Sequence, residues 1–544
     1  MYIRAEGLRM RKAGSSISKL VFFVVFLAAM TCNAGEPGSV RTEKREIILP
    51  FESGTWSIPG NDIDRYVLNS LHAKNIEPAP PCSDEVFVRR VYLDIIGTIP
   101  EPSDVIAFLN DTSPDRRTVL IDTLLERDEF ADYWSLKWCD LLRVKAEFPI
   151  NLWPNAVQAY HRWIRDSIRK NMPYDRFARE LLTSSGSNFR VPPVNFYRAI
   201  QGRDPLSVAS AVALTFMGTR LDTWPESMSG QMSVFFSRVA YKKTAEWKEE
   251  IVYLNPSPEN ALDAVLPDGK RVKIPSDTDP RLVFADWLIR DDNPWFARNI
   301  VNRIWSWLLG SGIIHEPDDI RNDNPPANGE LLAYLEKELV NSRYDMKHIY
   351  RLILNSRTYQ QSSIPGSDSP DAEALFAYYP VRRLDAEVLM DALCKVGGTG
   401  EEYVSQVPEP YTFIPRYQKT VMLADGSITS TFLEMFGRPA RDTGMESERN
   451  NKITDAQEMY LLNSNDIQLR IQSSPALRRI MAVAMGDERE LIQRIFLFLL
   501  SRYPVQEEIE SAEKYFQTEG LLQKQGVEDL AWALINSKEF LYRH

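Results

Sequence analysis

The apolar residues of this chain repeat with the period of an α-helix along most of its length. Ile63, Val67 and Leu71 recur every four residues, as on one face of a helix, and this period continues to about residue 240. It resumes at Arg281 and runs to the C-terminus, interrupted by a loop over about residues 397–427. The pattern predicts a mainly α protein.

A short stretch in the middle of the chain has a different pattern. Two short apolar runs flank Asp268-Gly269, an arrangement typical of a tight β-hairpin. Since 544 residues exceed what one hydrophobic core usually supports, we expect two helical domains on either side of this hairpin. The predicted order is a linker at 35–58 with a short strand at Glu46–Phe51, a helical domain at 59–245, a β insertion at 246–278 and a second helical domain at 279–544.

The N-terminus has the three parts of a secretory signal. Five bases precede an eleven-residue apolar run at 20–30, and small residues follow up to Ala34. The run is shorter than the ~20 residues that a transmembrane helix needs. We therefore expect residues 1–34 to be a signal peptide cleaved near Ala34, with export to the periplasm or the medium and no stable membrane span. An uncleaved anchor and lipidation of Cys32 are the alternatives.

The net charge limits the classes of molecule that this protein can bind. Lys+Arg 64 against Asp+Glu 75 gives the whole chain a net charge of −11. An acidic chain argues against a nucleic-acid-binding surface spread over the molecule. The partners that remain are an extracytoplasmic protein or a polysaccharide.

The cysteines and histidines indicate no recognisable metal site. Cys82, Cys139 and Cys394 remain after the predicted cleavage, an odd number too far apart for a disulfide framework. We expect three buried thiols, with one disulfide and one free thiol as the alternative. None of the five histidines is paired at the i+3 or i+4 spacing of a helical zinc motif. We predict no metal and no cofactor.

The clearest helix is predicted over residues 294–309. Asn293 is a suitable N-cap, Pro294 suits the first position and Gly310 follows the end. Polar side chains share one face of this helix, and an acidic loop follows it. We interpret the two as a candidate binding surface, with a solvated stripe as the alternative. Its residues are Asn299, Asn302, Arg303, Asp318 and Asp319.

No catalytic nucleophile, base or metal set is recognisable from the sequence. An enzyme acting on an extracellular polysaccharide would use carboxylates as acid–base groups. The candidates are Asp94, Asp140, Asp318 and Glu448. Aromatic platforms for sugars, or packing in the core, are the two interpretations of Trp134, Trp138, Trp153 and Trp163.

One segment is repeated near the two ends of the chain. Residues 90–100 align with residues 494–504, each with Arg ten positions before Pro, and both units later end on Glu-Phe, at 129–130 and 539–540. A third partial copy of the ending lies at 353–359. The repeat predicts an apolar helix, stopped by a Pro-containing turn that opens the next helix. Two full copies are too few for a solenoid.

Several stretches resemble a known pair of domains. Arg89-Arg90-Val91-Tyr92-Leu93-Asp94 and Gly97-Thr98-Ile99-Pro100 resemble the planctomycete cytochrome-associated domain, number 1549 among domains of unknown function. Val301-Asn302-Arg303-Ile304-Trp305 and Phe436-Gly437-Arg438-Pro439 resemble its usual companion, number 1553. The resemblance implies an exported, helix-rich protein with no established activity, in some members fused to a c-type cytochrome module.

The resemblance also implies two cysteine motifs that this chain lacks. The family has Cys-x-x-Cys-His after a Phe-Leu-Gly stretch, where here Phe216-Met217-Gly218-Thr219-Arg220-Leu221-Asp222 runs directly into Thr223-Trp224-Pro225. It has Cys-x-Cys-Glu-Arg where here Met445-Glu446-Ser447-Glu448-Arg449 stands. Methionine and serine do not replace thiolates in a zinc site or in haem attachment. If the family cysteines are disulfides instead, their loss removes stability alone.

These observations lead to two functional hypotheses. The first is an extracytoplasmic binding or assembly component without a haem or metal centre. The second is a hydrolase or other enzyme acting on an extracellular polysaccharide. The first is favoured because no acid–base or metal set can be assembled from the sequence.

Overall fold

The computed structural model describes residues 46–54, 60–256 and 261–544. The predicted signal peptide, Cys32 and most of the predicted linker lie outside these ranges. Helices dominate the described chain and its sheets are small, which confirms the mainly α prediction. Within the same ranges, no helix combines the length and the apolar character needed to cross a bilayer.

The described residues contain 23 α-helices. Those before the first hairpin are α1 (Asp62–Ala73), α2 (Asp84–Ile96), α3 (Pro102–Asn110), α4 (Arg116–Leu125), α5 (Asp128–Leu141), α6 (Pro154–Arg169), α7 (Tyr174–Thr183), α8 (Asn195–Arg198), α9 (Pro205–Val212) and α10 (Glu226–Ser233). Those after it are α11 (Pro280–Leu288), α12 (Phe296–Leu309), α13 (Gly329–Asn341), α14 (Met346–Leu354), α15 (Ala386–Gly397), α16 (Thr431–Met435), α17 (Asp455–Asn463), α18 (Asn465–Ser473), α19 (Pro475–Ala484), α20 (Glu488–Leu500), α21 (Gln506–Phe516), α22 (Gln523–Ile535) and α23 (Lys538–Leu541).

Three small antiparallel sheets interrupt the helices. The strands are β1 (Gly186–Ser187), β2 (Val239–Lys243), β3 (Glu250–Leu254), β4 (Leu262–Val265), β5 (Arg271–Ile274), β6 (Arg382–Arg383) and β7 (Tyr542–Arg543). The first sheet has the order β1-β3-β2, while β4 pairs with β5 and β6 with β7.

The middle sheet is the predicted hairpin. Ala264 pairs with Val272, and Gly269 takes the left-handed conformation with φ +87° at the turn between the strands. The neighbouring strand β3 pairs with β1 and β2, which both begin before residue 246. Its sheet therefore extends into the segment that we had assigned wholly to the first helical domain.

The prediction of a strand at Glu46–Phe51 is wrong. The carbonyl oxygen of Ile48 accepts hydrogen bonds from the backbone nitrogens of Phe51 and Glu52, both at 3.0 Å. These bonds close a turn at the position where an extended strand was expected.

Helix α12 has the predicted caps. Asn293 Oδ1 accepts from the backbone nitrogens of Trp295 and Phe296 at 3.0 and 3.1 Å. The helix begins at Phe296, two residues later than expected, and ends before Gly310, whose φ is +81°. A Cβ at Gly310 would lie 2.5 Å from Cδ of Arg382, so the close approach also favours glycine.

The copies of the repeated unit pack against one another. Arg89 donates to the carbonyl oxygens of Leu499 and Phe540, at 2.9 and 3.2 Å. Arg90 donates to the carbonyl oxygens of Tyr359 and His544, at 2.6 and 2.8 Å. Two neighbouring arginines of the first copy thus contact the second copy and the partial third one.

Candidate functional site

The predicted polar stripe lies in the interior. Asn299 and Asn302 are 0% exposed, and Arg303 is 1% exposed. Asn302 accepts from the backbone nitrogen of Ile314 at 2.8 Å and donates to its carbonyl oxygen at 3.0 Å, while Asn299 donates to the carbonyl oxygen of Thr215 at 2.9 Å. The expectation of a solvated stripe is wrong, because neighbouring backbone groups satisfy these amides. A ligand would reach them only by displacing those partners.

Arg303 joins the acidic loop to a loop further along the chain. Its Nη2 donates to Asp318 at 2.5 Å, and its Nη1 donates to Glu446 at 3.3 Å. The backbone nitrogen of Glu446 donates to the other oxygen of Asp318 at 2.6 Å. Burial raises the pKa of the Glu446 carboxyl, although Arg303 opposes the shift.

The two stretches that depart from the family motifs meet at this cluster. The carbonyl oxygen of Gly218 accepts from the backbone nitrogen of Ile320 at 2.9 Å, next to Asp318. Glu446, in the second stretch, contacts Arg303 and Asp318 directly. A guanidinium cannot coordinate a metal ion, and both carboxylates are already bound to it. The side chains present here do not fit a zinc or haem centre.

The acidic loop is held by ion pairs. Asp319 lies 3.3 Å from Arg220 and 2.9 Å from Arg321. Asn324 donates to the carbonyl oxygens of His315 and Asp319, both at 2.9 Å. Across the ranges that the structure describes, no three His, Cys, Asp or Glu side chains gather as metal ligands do.

Asp140, a candidate catalytic acid, belongs to a buried ion-pair network. Its two oxygens lie 2.8 Å from Arg441 and 2.7 Å from Arg449. Arg449 continues the network to Glu387 at 2.7 Å and to Asp385 at 3.6 Å. These arginines come from the loop after α16, which places their guanidinium groups beside α5 and α15.

Asp94, a second candidate, lies at the other end of the same network. Arg543 on β7 contacts Asp385 and Asp94, each at 3.0 Å. The hydroxyls of Tyr359 and Tyr379 both donate to Asp94 at 2.8 Å. Asp94 and Asp140 are therefore connected through Asp385 by shared arginines.

Two acids of this network, Asp385 and Glu387, have lowered pKa values. Burial by itself would raise the pKa of the Asp385 carboxyl, but Lys137, Arg543 and Arg449 hold it well below its ordinary value. Burial likewise opposes ionisation of Glu387, yet Arg449 and Arg438 lower its pKa to about 2. A general acid must carry a proton at the working pH, so neither group suits that role near neutrality.

The other two candidates are also engaged within the protein. Asp318 is bound by Arg303, as described above. Glu448 accepts from the backbone nitrogens of Asp442 and Thr443 at 2.8 and 3.3 Å and closes their loop. None of the four candidate acids lines either of the two cavities described next.

A large cleft lies near the C-terminus. It has a volume of about 980 Å³ and is lined by residues of α17 and α20 to α23, with Phe51 and Phe436. Ligand pockets commonly measure ~300–1,000 Å³. We call it the C-terminal cleft. Its apolar wall includes Phe436, Leu461, Phe496, Phe516, Leu530 and Leu534.

A smaller pocket of about 370 Å³ lies beside α15. Asp391 lines it and accepts from the backbone nitrogens of Thr420 and Val421 at 2.7 and 3.1 Å. Burial raises the pKa of this carboxyl to about 6, despite these donors. The sequence analysis missed Asp391, whose only signal was one acid within the apolar run of a helix.

The three cysteines of the described chain are free, and two of the three are buried as expected. Cys82 and Cys139 are buried, and burial raises the pKa of the Cys139 thiol to about 12. Cys394 is half-buried, and Arg470 Nη1 lies 3.3 Å from its sulfur.

The four tryptophans divide between core and surface. Trp134 and Trp138 are each 2% exposed, and Trp163 stacks on Phe177 with ring centroids 4.9 Å apart. Trp153 instead joins a cluster near the surface. Its ring centroid lies 4.6 Å from that of Trp247, and Tyr411 lies 5.0 Å from Trp247.

Comparison with known proteins agrees with the domain pair. Residues 62–223 match PSCyt2, a protein of unknown function (DUF1549), and residues 280–516 match PSD1, a protein of unknown function (DUF1553). No curated protein and no solved structure matches the chain. The ion pairs of Asp140 with Arg441 and Arg449 connect the two matched regions. The chain belongs to the family in which a DUF1549 domain is followed by a DUF1553 domain.

Proposed function

We propose that this protein is an extracytoplasmic binding or assembly component, without a haem or metal centre, that holds its ligand in the C-terminal cleft. The observation that carries the proposal is that the candidate catalytic acids lie outside the large apolar cleft. The candidate catalytic acids are bound inside the protein by arginines, tyrosines or backbone donors. The cleft offers an apolar wall, which binds by withdrawing apolar surface from water. The N-terminal signal pattern supports export.

Filling the cleft tests the proposal. Ala533 lines the cleft and is half-buried, so Ala533→Trp places an indole in the space that a ligand would occupy. Ala482 is exposed on α19 and does not line the cleft, so Ala482→Trp is the matched control. We expect the full chain to bind the neutral dye Nile red at one saturable site, measured by fluorescence.

The two variants decide the outcome. Ala533→Trp should weaken dye binding at least tenfold, and Ala482→Trp should leave it unchanged. Circular dichroism and thermal unfolding check that both variants fold. Equal dye binding by the two variants, or no saturable binding by the unmodified chain, would overturn the proposal.

A polysaccharide ligand is the alternative, and the surface aromatic cluster favours it. Trp247 is 56% exposed and Tyr411 is 42% exposed, while Lys248 Nζ lies 4.9 Å from the ring centroid of Trp153. Exposed aromatic rings offer apolar faces to sugars. Affinity electrophoresis in polysaccharide gels should show retardation that Trp247→Ala removes. Release of reducing ends in the same assay would identify a hydrolase, and unretarded migration in every gel would exclude this alternative.

A further inference from the structure

We propose that the ligand of the C-terminal cleft is a long-chain carboxylate, with a single apolar chain and an anionic head. This inference rests on the proposed function, because it names the chemical class of the molecule held in the same cleft. Three features of the wall carry it: the apolar lining, the balance of charge and one arginine with unsatisfied nitrogens.

Apolar side chains line the cleft from its interior to its mouth. Ile453 and Leu462 line it and are 53% and 42% exposed, so apolar side chains continue to the solvent. Helix α17, which contributes Leu462, buries only Gln457 and Leu461 of its nine residues. An apolar chain held in the cleft would lie against these side chains. Each CH₂ group that it buries should raise the affinity about fourfold.

The charges in the wall leave an excess of positive groups. Glu508 and Glu539 line the cleft, but Arg502 binds both, at 2.6 and 2.5 Å. The Arg502 side chain is only 3% exposed, and its one positive charge leaves these three groups with a net charge of −1, which the remaining groups of the lining exceed. The other charged groups of the lining are three bases and one acid, namely Arg383, Lys514, Lys538 and Glu458. This excess favours an anionic head group.

Arg383 supplies the unsatisfied donors. It is 4% exposed, and its Nη2 donates to the carbonyl oxygens of Phe436 and Asn450 at 2.6 and 3.1 Å. Its Nε and Nη1 have no hydrogen-bond partner. Leaving buried donors unsatisfied is unfavourable, and an anionic oxygen is a strong acceptor for either of these two N–H groups. The head group therefore lies towards Arg383.

Competition against Nile red tests the ligand class on the full chain. We expect dodecanoate to displace the dye at least tenfold more tightly than dodecanol or dodecyltrimethylammonium, which have the same chain and a different head. Decanoate, dodecanoate and tetradecanoate should show an affinity that rises about fourfold per CH₂ group. Dodecyl phosphate is run in parallel, and tighter competition by the phosphate would overturn the assignment of a carboxylate.

Charge reversal at the mouth locates the head group. Lys514 and Lys538 are exposed, so Lys514→Glu combined with Lys538→Glu should fold and weaken dodecanoate at least tenfold while Nile red still binds. Lys524→Glu is the control, because Lys524 is 64% exposed and does not line the cleft. Arg383→Gln should likewise weaken dodecanoate binding at least tenfold while Nile red still binds. If Arg383→Gln does not fold, the lysine variants decide by themselves.

The two proposals fail in different ways. If Nile red binds in the cleft but dodecanol competes as well as dodecanoate, the anionic head is wrong and the binding function stands. An unchanged dodecanoate affinity in the lysine double variant also overturns the inference. If no dye or amphiphile binds, both proposals fail.

Discussion

Asp385 is completely buried and faces three cations. Lys137 and Arg543 lie 3.0 Å from it and Arg449 lies 3.6 Å away, while the Tyr133 hydroxyl donates to it at 2.9 Å. Buried charges persist only when they are paired and hydrogen-bonded. Asp385 therefore supplies the negative charge that allows Lys137, Arg449 and Arg543 to stay buried and charged.

Asp385→Asn should leave these cations short of one negative charge. We expect the free energy of unfolding to fall by ~3–5 kcal/mol, because the partners stay buried and charged. Urea denaturation measures the loss. Asp371→Asn, which removes the exposed ion pair with Lys74 at 2.8 Å, should cost less than ~1 kcal/mol. Similar losses in the two variants would contradict a structural role for the network.

Asp391 should make the free energy of unfolding decrease as the pH rises. Burial raises its pKa from 3.8 to about 6, so between these values the folded chain keeps a proton that the unfolded chain releases. The stabilisation that this proton gives to the folded chain is therefore lost as the pH rises through about 6. Asp391→Asn should remove it, and the melting temperature of the variant relative to the parent should rise between pH 4 and pH 7. A constant difference across this range would show that Asp391 does not titrate there.

For single helices, the ends could be predicted from adjacent residues, but the residues that pack against each face could not. The caps at Asn293 and Gly310 fix the ends of α12 to within two residues because they depend on adjacent backbone groups. The polar stripe on the same helix was misread, since spacing shows which side chains share a face but not what covers it. The partner of Asn299 is Thr215, 84 residues earlier.

Substituting alanine for two glycines, Gly218 and Gly230, should change the free energy of unfolding in opposite directions. Gly218 ends a π-helical turn with φ +61°, and a Cβ there would lie 2.6 Å from Asn299 Oδ1. Gly218→Ala should therefore lower the free energy of unfolding by ~2 kcal/mol or more. Gly230, exposed within α10, has nothing within 4 Å of its ideal Cβ, so Gly230→Ala should add ~0.5–1 kcal/mol. Thermal unfolding of both variants checks the signs.

For the whole molecule, the sequence motifs predicted the domain pair but not the cleft. Motifs are short and continuous, and they appear in the same order in the matched regions at 62–223 and 280–516. The cleft lining extends from Phe51 to Tyr542, and no local pattern marks it. The catalytic candidates were acids chosen one by one, and the sequence did not show the arginines that bind them.

One buried and one half-buried histidine, His161 and His544, should dominate the response of the fold to acid. Burial lowers the pKa of His161 from 6.5 to about 3 and that of His544 to about 4. Below pH 6.5 the unfolded chain binds protons that the folded chain does not, so stability falls as the pH decreases. The two histidines outweigh the opposite contribution of Asp391. Urea midpoints should decrease steadily from pH 7 to pH 4, and His161→Gln should flatten the curve.

The adjacent guanidinium groups of Arg89 and Arg90 have a consequence for biosynthesis. Their acceptors include Leu499, Phe540 and His544, and one of these bonds spans 454 residues. A nascent polypeptide therefore has helix α2 long before it has the carbonyl groups that satisfy it. Contacts of such separation make folding slow. The N-terminal core should stay incomplete, and open to proteases or chaperones, until translation reaches the last helix.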